Sequence, residues 1–198
     1  MYCFKQVRSK ILKTTLIPCV ALFMITSCKK GDPGTANVIF SDWFKPDTYK
    51  KDTVFGIYGF KYDQPAPQVT SKLLDSGTVV VYGKLLGYNP AVWPTTQVAP
   101  LPISLTYVQG STMTDTWSAL CTPGNIRIRF VNDKNFYGSI ANSHQFRYII
   151  IPGAVKATTT TGERRILTRS GRSLDANAFQ DIEHMSYQEV CAKLDIPE

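Results

Sequence analysis

The chain has 198 residues, with 22 Lys and Arg against 15 Asp and Glu, which gives a formal net charge of +7. Four of the basic residues and none of the acidic ones lie in the first 27 positions, so the other 171 residues carry only about +3. That small excess excludes nucleic acid as an expected partner. A length of 171 residues is sufficient to bury the core of one domain.

The first 27 residues have the organisation of a lipoprotein signal peptide. Basic residues at positions 5–13 precede an apolar run of ten residues, 16–25, which is shorter than the about 20 residues that span a bilayer. The next residues, Ile25-Thr26-Ser27-Cys28, resemble the lipobox of bacterial lipoproteins, in which the thiol is acylated and the preceding peptide bond is cut. The sequence therefore predicts that Cys28 carries lipid; an ordinary signal peptide is the alternative.

The remainder divides into a tether and one domain. Residues 28–36 contain closely spaced Gly and Pro and are predicted to form a flexible, lipid-proximal spacer. Residues 37–198 form the predicted domain, with a helical segment at about 186–195. It keeps two cysteines, Cys121 and Cys191, whose separation of 70 residues matches no disulfide or metal signature. Two buried free thiols are the favoured interpretation, and a disulfide remains open.

From residue 37 onward, short runs rich in Val, Ile, Tyr, Phe and Thr alternate with Gly, Pro and Asn. This spacing is typical of antiparallel β-proteins. The predicted fold is mainly β, an antiparallel β-sandwich of the jelly-roll or Greek-key kind with a short C-terminal α-helix. The strongest strand predictions are 38–44, 54–60, 78–86, 103–108, 125–131 and 145–152.

Two of these runs carry further detail. In 125–130 the apolar residues all fall on one face, and Arg127 and Arg129 fall on the other, which predicts one buried and one solvated face. The run 145–152 is apolar on both faces and predicts a central strand. Between them, the polar residues 132–135 predict a turn.

Two helices are predicted. The first covers 68–75, with Gly77 beyond it as a stop. The second begins after Ser186, because Ser186 and Glu189 form a capping-box pattern, and it should run to about residue 194. Its apolar residues share one face that must dock on the domain: Tyr187, Val190, Cys191 and Leu194.

Local catalytic and metal-binding motifs are missing from residues 28–198. This part has only two histidines, His144 and His184, and no zinc, phosphate-loop or nucleophile-elbow pattern. The loop from Asp133 has Asp, Asn and Gly at calcium-loop positions, but Tyr137 and His144 stand where oxygen ligands belong. The sequence therefore predicts no cofactor and no metal, and no catalytic residue. A triad using either histidine stays open, because triads assemble in space.

Two segments are candidate ligand-binding surfaces. One is the proline-framed loop 87–94, where the rings of Tyr88 and Trp93 would suit stacking on sugars; packing of Trp93 into the domain is the structural alternative. The other is the segment 162–172, a candidate for holding anionic glycan or lipid head groups, or else an edge protected by charge. Its four arginines are Arg164, Arg165, Arg169 and Arg172.

Several stretches resemble an uncharacterised family of secreted bacterial lipoproteins. They are GDPGTANV (31–38), SDWF (41–44), GTVVVYGK (77–84), GYNP (87–90), VWP (92–94), LPI (101–103), DTWSA (115–119), GNIRIRF (124–130), HQFRY (144–148) and SYQEVC (186–191). The resemblance implies an outer-membrane lipoprotein of a Gram-negative cell with a β-rich body, facing the periplasm or the surface. It implies no activity.

Together these features predict an outer-membrane-anchored, extracytoplasmic lipoprotein that acts as a non-catalytic binding or structural module. Its expected partners are the membrane, through the N-terminal lipid, and a glycan or anionic envelope ligand. The alternative is a lipid-anchored hydrolase whose site is assembled from distant residues.

Overall fold

The computed structural model of the protein describes residues 38–54, 56–153, 165–175 and 182–198. The predicted signal peptide (1–27) and tether (28–36), including Cys28, lie outside these ranges. Within them, neither helix combines the length and apolar character that crossing a bilayer requires.

The described elements are eleven strands, two α-helices and one 3₁₀ turn. In chain order they are β1 (Ile39–Phe40), β2 (Lys50–Val54), β3 (Ile57–Ala66), α1 (Ser71–Ser76), β4 (Thr78–Lys84), β5 (Ala99–Pro100), β6 (Ile103–Gln109), β7 (Ser111–Thr122), β8 (Gly124–Asn132), β9 (Gln145–Ile151), β10 (Arg165–Leu167), β11 (Ser173–Asp175), the 3₁₀ turn (Ile182–His184) and α2 (Tyr187–Leu194).

Two antiparallel sheets pack face to face and confirm the predicted β-sandwich. One has five strands in the order β2-β3-β8-β7-β6, and the other has four in the order β1-β9-β4-β5; β10 and β11 form a separate pair. The core between the sheets takes inward side chains from both, such as Trp117 and Phe130 from the five-stranded sheet and Phe146 and Ile150 from β9. Burial of this apolar surface is the main force that holds the sheets together.

The observed strands differ from the strands predicted from the sequence in two places. The predicted strand 54–60 contains a turn, because β2 ends at Val54 and β3 begins at Ile57, so this segment is the tip of a hairpin. The twelve-residue β7, the longest strand, was not predicted. By contrast, β9 is confirmed as a central strand: it pairs with β1 on one side and β4 on the other, and its residues 146–151 are buried.

The C-terminal helix α2 forms a third layer on the outer face of the four-stranded sheet. The predicted capping box is present: the Ser186 hydroxyl accepts a hydrogen bond from Glu189 N, and the Glu189 carboxylate accepts one from Ser186 N at 2.7 Å. The buried face of α2 consists of the four predicted residues, and it packs against Tyr82 and Ile149. Cys191 is therefore a core residue, and Cys121 is half-buried; both thiols are free.

Buried Arg147, on β9, ties the C-terminal segment to this layer. Its Nε donates to the Ser41 carbonyl at 2.8 Å, and its Nη1 donates to the Tyr187 hydroxyl and the Pro197 carbonyl. The guanidinium also lies 5.0 Å from the centre of the Phe40 ring. These contacts hold α2 in register with the sheet.

The short helix α1 lies where a helix was predicted at 68–75, but it begins at Ser71, three residues later than predicted. Thr70 is the N-cap, with its side chain accepting from Leu73 N, and the helix stops at Gly77 as expected. None of its residues is fully buried.

The arginines predicted to be solvated on β8 are half-buried and form ion pairs across the outer face of the five-stranded sheet. Arg127 Nε lies 2.7 Å from Asp63, and Arg129 Nε lies 2.7 Å from Asp52. The hydrogen bond from Arg129 holds the pKa of Asp52 below its usual value.

Candidate functional site

A cavity of about 700 Å³ opens at one end of the sandwich. Its walls come from the loop after β4, the end of β6, the loop before β9, and core side chains of β7 and β8. The residues that line it are Leu86, Gly87, Tyr88, Asn89, Val92, Thr106, Tyr107, Val108, Gln109, Trp117, Phe130, Tyr137, Ser139, Ile140, Ala141, Ser143 and His144. A cavity of this size is in the range that holds a small ligand.

The lining has no Lys, Arg, Asp or Glu side chain. It combines five aromatic rings with hydroxyl, amide and imidazole groups. Such a surface offers ring faces for stacking and single hydrogen bonds for orientation, as small-molecule sites usually do.

A buried carboxylate lies behind this lining. Asp115 occupies an inward position of β7 and is fully buried. Its Oδ2 accepts hydrogen bonds from the hydroxyls of Tyr88 (2.9 Å), Tyr107 (2.9 Å) and Tyr137 (3.1 Å), and its Oδ1 accepts one from Asn132 Nδ2 at 2.7 Å. We call Asp115 with its three tyrosines the Asp115 cluster.

The three tyrosines of the Asp115 cluster remain protonated phenols. Burial is the largest cause that raises the pKa of Tyr88, Tyr107 and Tyr137, and the Asp115 carboxylate raises it further. The Tyr107 and Tyr137 hydroxyls are also in contact with each other. Each phenol has one proton to donate, so when one of Tyr107 and Tyr137 donates to the other, only the second of the two donates to Asp115.

Trp117 and His144 complete the inner wall of the cavity. Trp117 donates its indole N–H to the Tyr88 hydroxyl at 3.1 Å, and its ring centre lies 4.5 Å from that of His144. His144 Nδ1 accepts from Leu86 N at 3.2 Å, which assigns the proton of the neutral ring to Nε2. Burial lowers the pKa of His144 to about 4, so the ring is uncharged at neutral pH.

The described residues do not form a recognisable catalytic constellation. Ser139 and Ser143 line the cavity, but no hydrogen bond in the described part of the chain joins His144 to a serine or to Asp115. In the same ranges, no group of three or more His, Cys, Asp or Glu is arranged to hold a metal ion. The second histidine, His184, is exposed in the 3₁₀ turn.

Of the two aromatic residues singled out in the loop 87–94, only Tyr88 lines the cavity. Trp93 is 8% exposed and packs into the core between the sheets, which is the structural alternative given for it above. The loop turns its ring inward because Asn89 O accepts from both Val92 N and Trp93 N. Trp93 is therefore not placed to stack on a ligand at the surface.

Arg169 and Arg172 of the segment 162–172 do not line the cavity and lie beside α2. The Arg169 guanidinium is 5.5 Å from the Phe40 ring centre, and its backbone N–H bonds Leu194 O. Arg172 donates to the Lys193 carbonyl at 2.9 Å and lies 3.6 Å from Asp195. Arg165 begins β10, and Arg164 lies outside the described residues.

The cavity and the entry of the chain are at opposite ends of the four-stranded sheet. His144 of the cavity wall immediately precedes β9, whereas Ile39 of β1 pairs with Ile150 near the end of β9. The six-residue step from 145 to 151 spans about 20 Å. Val38 is therefore about 20 Å from the cavity end.

Sequence reasoning missed the key residues of this site: Asp115, Tyr107, Tyr137 and Trp117. The one available signal was the alternation Met113, Asp115, Trp117 in 111–122, which places a carboxylate at an inward position.

No family model matches the sequence, and no curated protein or solved structure is similar to it. A functional assignment therefore depends on the cavity and the residues around it.

Proposed function

We propose that the protein is a lipid-anchored, extracytoplasmic binding module that holds a small ligand in the cavity at the end of the sandwich. The anchor is the lipid on Cys28, in the outer membrane. The ligand offers a ring or compact apolar face together with hydrogen-bond donors, as a sugar unit does.

The observation that carries the proposal is the neutral, aromatic and hydrogen-bonding wall of the cavity. A neutral wall favours neither strongly anionic ligands nor acid-base chemistry. Aromatic faces with oxygen acceptors beside them suit ligands that stack and donate hydrogen bonds at their edges.

The position of the chain entry supports the anchored arrangement. Cys28 precedes Val38 by ten residues, and Val38 is at the end of the sheet opposite the cavity. A domain tethered from that end keeps the cavity end clear of the tether, so that it is open to envelope ligands.

A thermal-unfolding screen tests the proposal. The full-length protein in detergent is heated with members of a library of mono- and oligosaccharides, amines and lipid head groups. A ligand at about 100 times its Kd stabilises the fold by about 2.7 kcal/mol. For a domain of this size, that corresponds to a rise in Tm of about 5–10 °C.

A matched pair of variants links any shift to the cavity. Ala141 lines the cavity and is exposed, so Ala141→Trp adds bulk to the cavity wall; Ala91 is exposed but does not line the cavity, so Ala91→Trp is the control. The shift should disappear in Ala141→Trp and persist in Ala91→Trp. No shift with any class, or turnover of an ester or glycoside by the protein, would replace this proposal with a structural role or a hydrolase.

A further inference from the structure

The buried carboxylate of Asp115 has no cationic partner. It is fully buried, and all four of its hydrogen-bond donors, three phenols and one amide, are neutral. None of the ion pairs in the described part of the chain involves it. Taking a charge out of water without an opposite charge is costly, and buried charges are usually paired. Asp115 is therefore a buried carboxyl group that, in the described part of the chain, is held by neutral donors alone.

A single layer of side chains separates the Asp115 carboxyl group from the cavity. The three phenol oxygens lie 2.9–3.1 Å from Asp115 Oδ2, and all three tyrosines line the cavity. The Tyr88 oxygen already accepts from Trp117, and the Tyr107 and Tyr137 hydroxyls are in contact with each other, so the acceptors left for a ligand are the remaining lone pairs of the Tyr107 and Tyr137 oxygens. A donor on the ligand would complete a chain of hydrogen bonds that ends on the Asp115 carboxyl group.

The rings around this acceptor surface also favour positive charge. Tyr88 and Tyr107 meet edge to face, with ring centres 6.2 Å apart, and Trp117 and Phe130 pack at 4.7 Å on the inner side. The faces of such rings attract cations, most strongly in desolvated sites. No Lys or Arg lines the cavity to oppose a cation, and the His144 ring is uncharged.

We propose that the ligand presents a positively charged ammonium group to the tyrosines of the Asp115 cluster, which is thus an amine-recognition site. This inference rests on the proposed binding function and specifies the chemistry of its ligand. The ammonium group can belong to an amino sugar or to a compact amine, and the experiment separates these two sources.

Pairs of probes that match in shape but differ in charge test the inference, by isothermal titration calorimetry on the full-length protein in detergent. The first pair is ethanolamine, whose ammonium group carries N–H donors, and its uncharged counterpart ethylene glycol. The second pair is glucosamine and glucose. In at least one pair, the charged member should bind at least about tenfold more tightly, as expected for a cation held by aromatic rings near a carboxylate. A preference only in the first pair identifies a compact amine, and one only in the second identifies an amino sugar.

Asp115→Asn removes the charge and keeps the shape of the side chain, so it should abolish the preference for the charged probe. Asp63→Asn is the control, because Asp63 is an exposed carboxylate paired with Arg127 on the outer face of the sheet. The control should keep the preference. The affinities of the charged and uncharged probes are compared on the unmodified protein, so this test remains decisive if Asp115→Asn does not fold.

The possible outcomes distinguish this inference from the proposed function. Equal or tighter binding of the uncharged members, blocked by Ala141→Trp, would overturn the amine inference and leave the binding module intact. Absence of binding by all four probes would also overturn it, whereas the binding function would fall only if the whole library gave no shift.

Discussion

Replacing Leu194 by Ala tests whether α2 is an integral layer of the domain. Leu194 is fully buried between the helix and the four-stranded sheet, in the cluster that contains Tyr82 and Ile149. Full burial of a leucine side chain stabilises by about 1.5–3 kcal/mol, and the cavity left by truncation adds to the loss. Leu→Ala substitutions in cores therefore cost about 2–5 kcal/mol. A loss of about 3 kcal/mol lowers the Tm of a domain of this size by about 6–12 °C.

The assay is urea and thermal unfolding followed by circular dichroism, with Gln188→Ala as the control. Gln188 is exposed on the same helix, so its substitution should change the stability by no more than about 0.5 kcal/mol. A loss below about 1 kcal/mol for Leu194→Ala would refute the docking of α2, because it would mean that the helix detaches at little cost.

Three further predictions concern the cap, the buried histidine and the anchor. Ser186→Ala should destabilise the domain by about 0.5–2 kcal/mol in the same unfolding assay, and Thr70→Ala, which removes the cap of a helix with no buried residue, should cost less; equal costs would contradict this. Because burial lowers the pKa of His144 from 6.5 to about 4, the contribution of this residue to stability should be lost as the pH drops through that interval, and His144→Gln should flatten the slope there; an unchanged slope would show that other groups cause it. Cys28→Ser should abolish metabolic labelling with a fatty acid, and a variant that keeps the label would disprove the lipid anchor.

Local signals in the sequence were sufficient to predict much of the fold. The alternation in 125–130 identified β8 and its buried face, because the period of a strand fixes which side chains share a face. The pair Ser186 and Glu189 identified the start of α2, because a capping box is satisfied within four residues. Both depend on neighbours in the chain, so they can be recognised without knowledge of the topology.

The candidate site could not be predicted in the same way, because it depends on contacts between distant residues. Tyr88, Tyr107 and Tyr137 lie 27, 8 and 22 positions from Asp115, and only the pairing of β6 with β7 and the course of two loops bring them together. Asp115 also breaks the apolar alternation of β7, which concealed this strand. A local departure from the pattern of the fold is expected where a site is built.

The burial of Trp93 shows a further limit of the sequence. Prolines on both sides of 91–93 indicated a rigid loop, but they did not indicate which way its ring would face. That direction is set by the turn at Asn89 and by space in the core between the sheets.

A crystal structure of the protein with the tightest-binding probe from the screen tests the central claim most directly. We expect density for the probe inside the cavity, within hydrogen-bond distance of the hydroxyls of Tyr88, Tyr107 or Tyr137. Density beside Arg169 and Arg172, with the cavity holding only solvent, would contradict it.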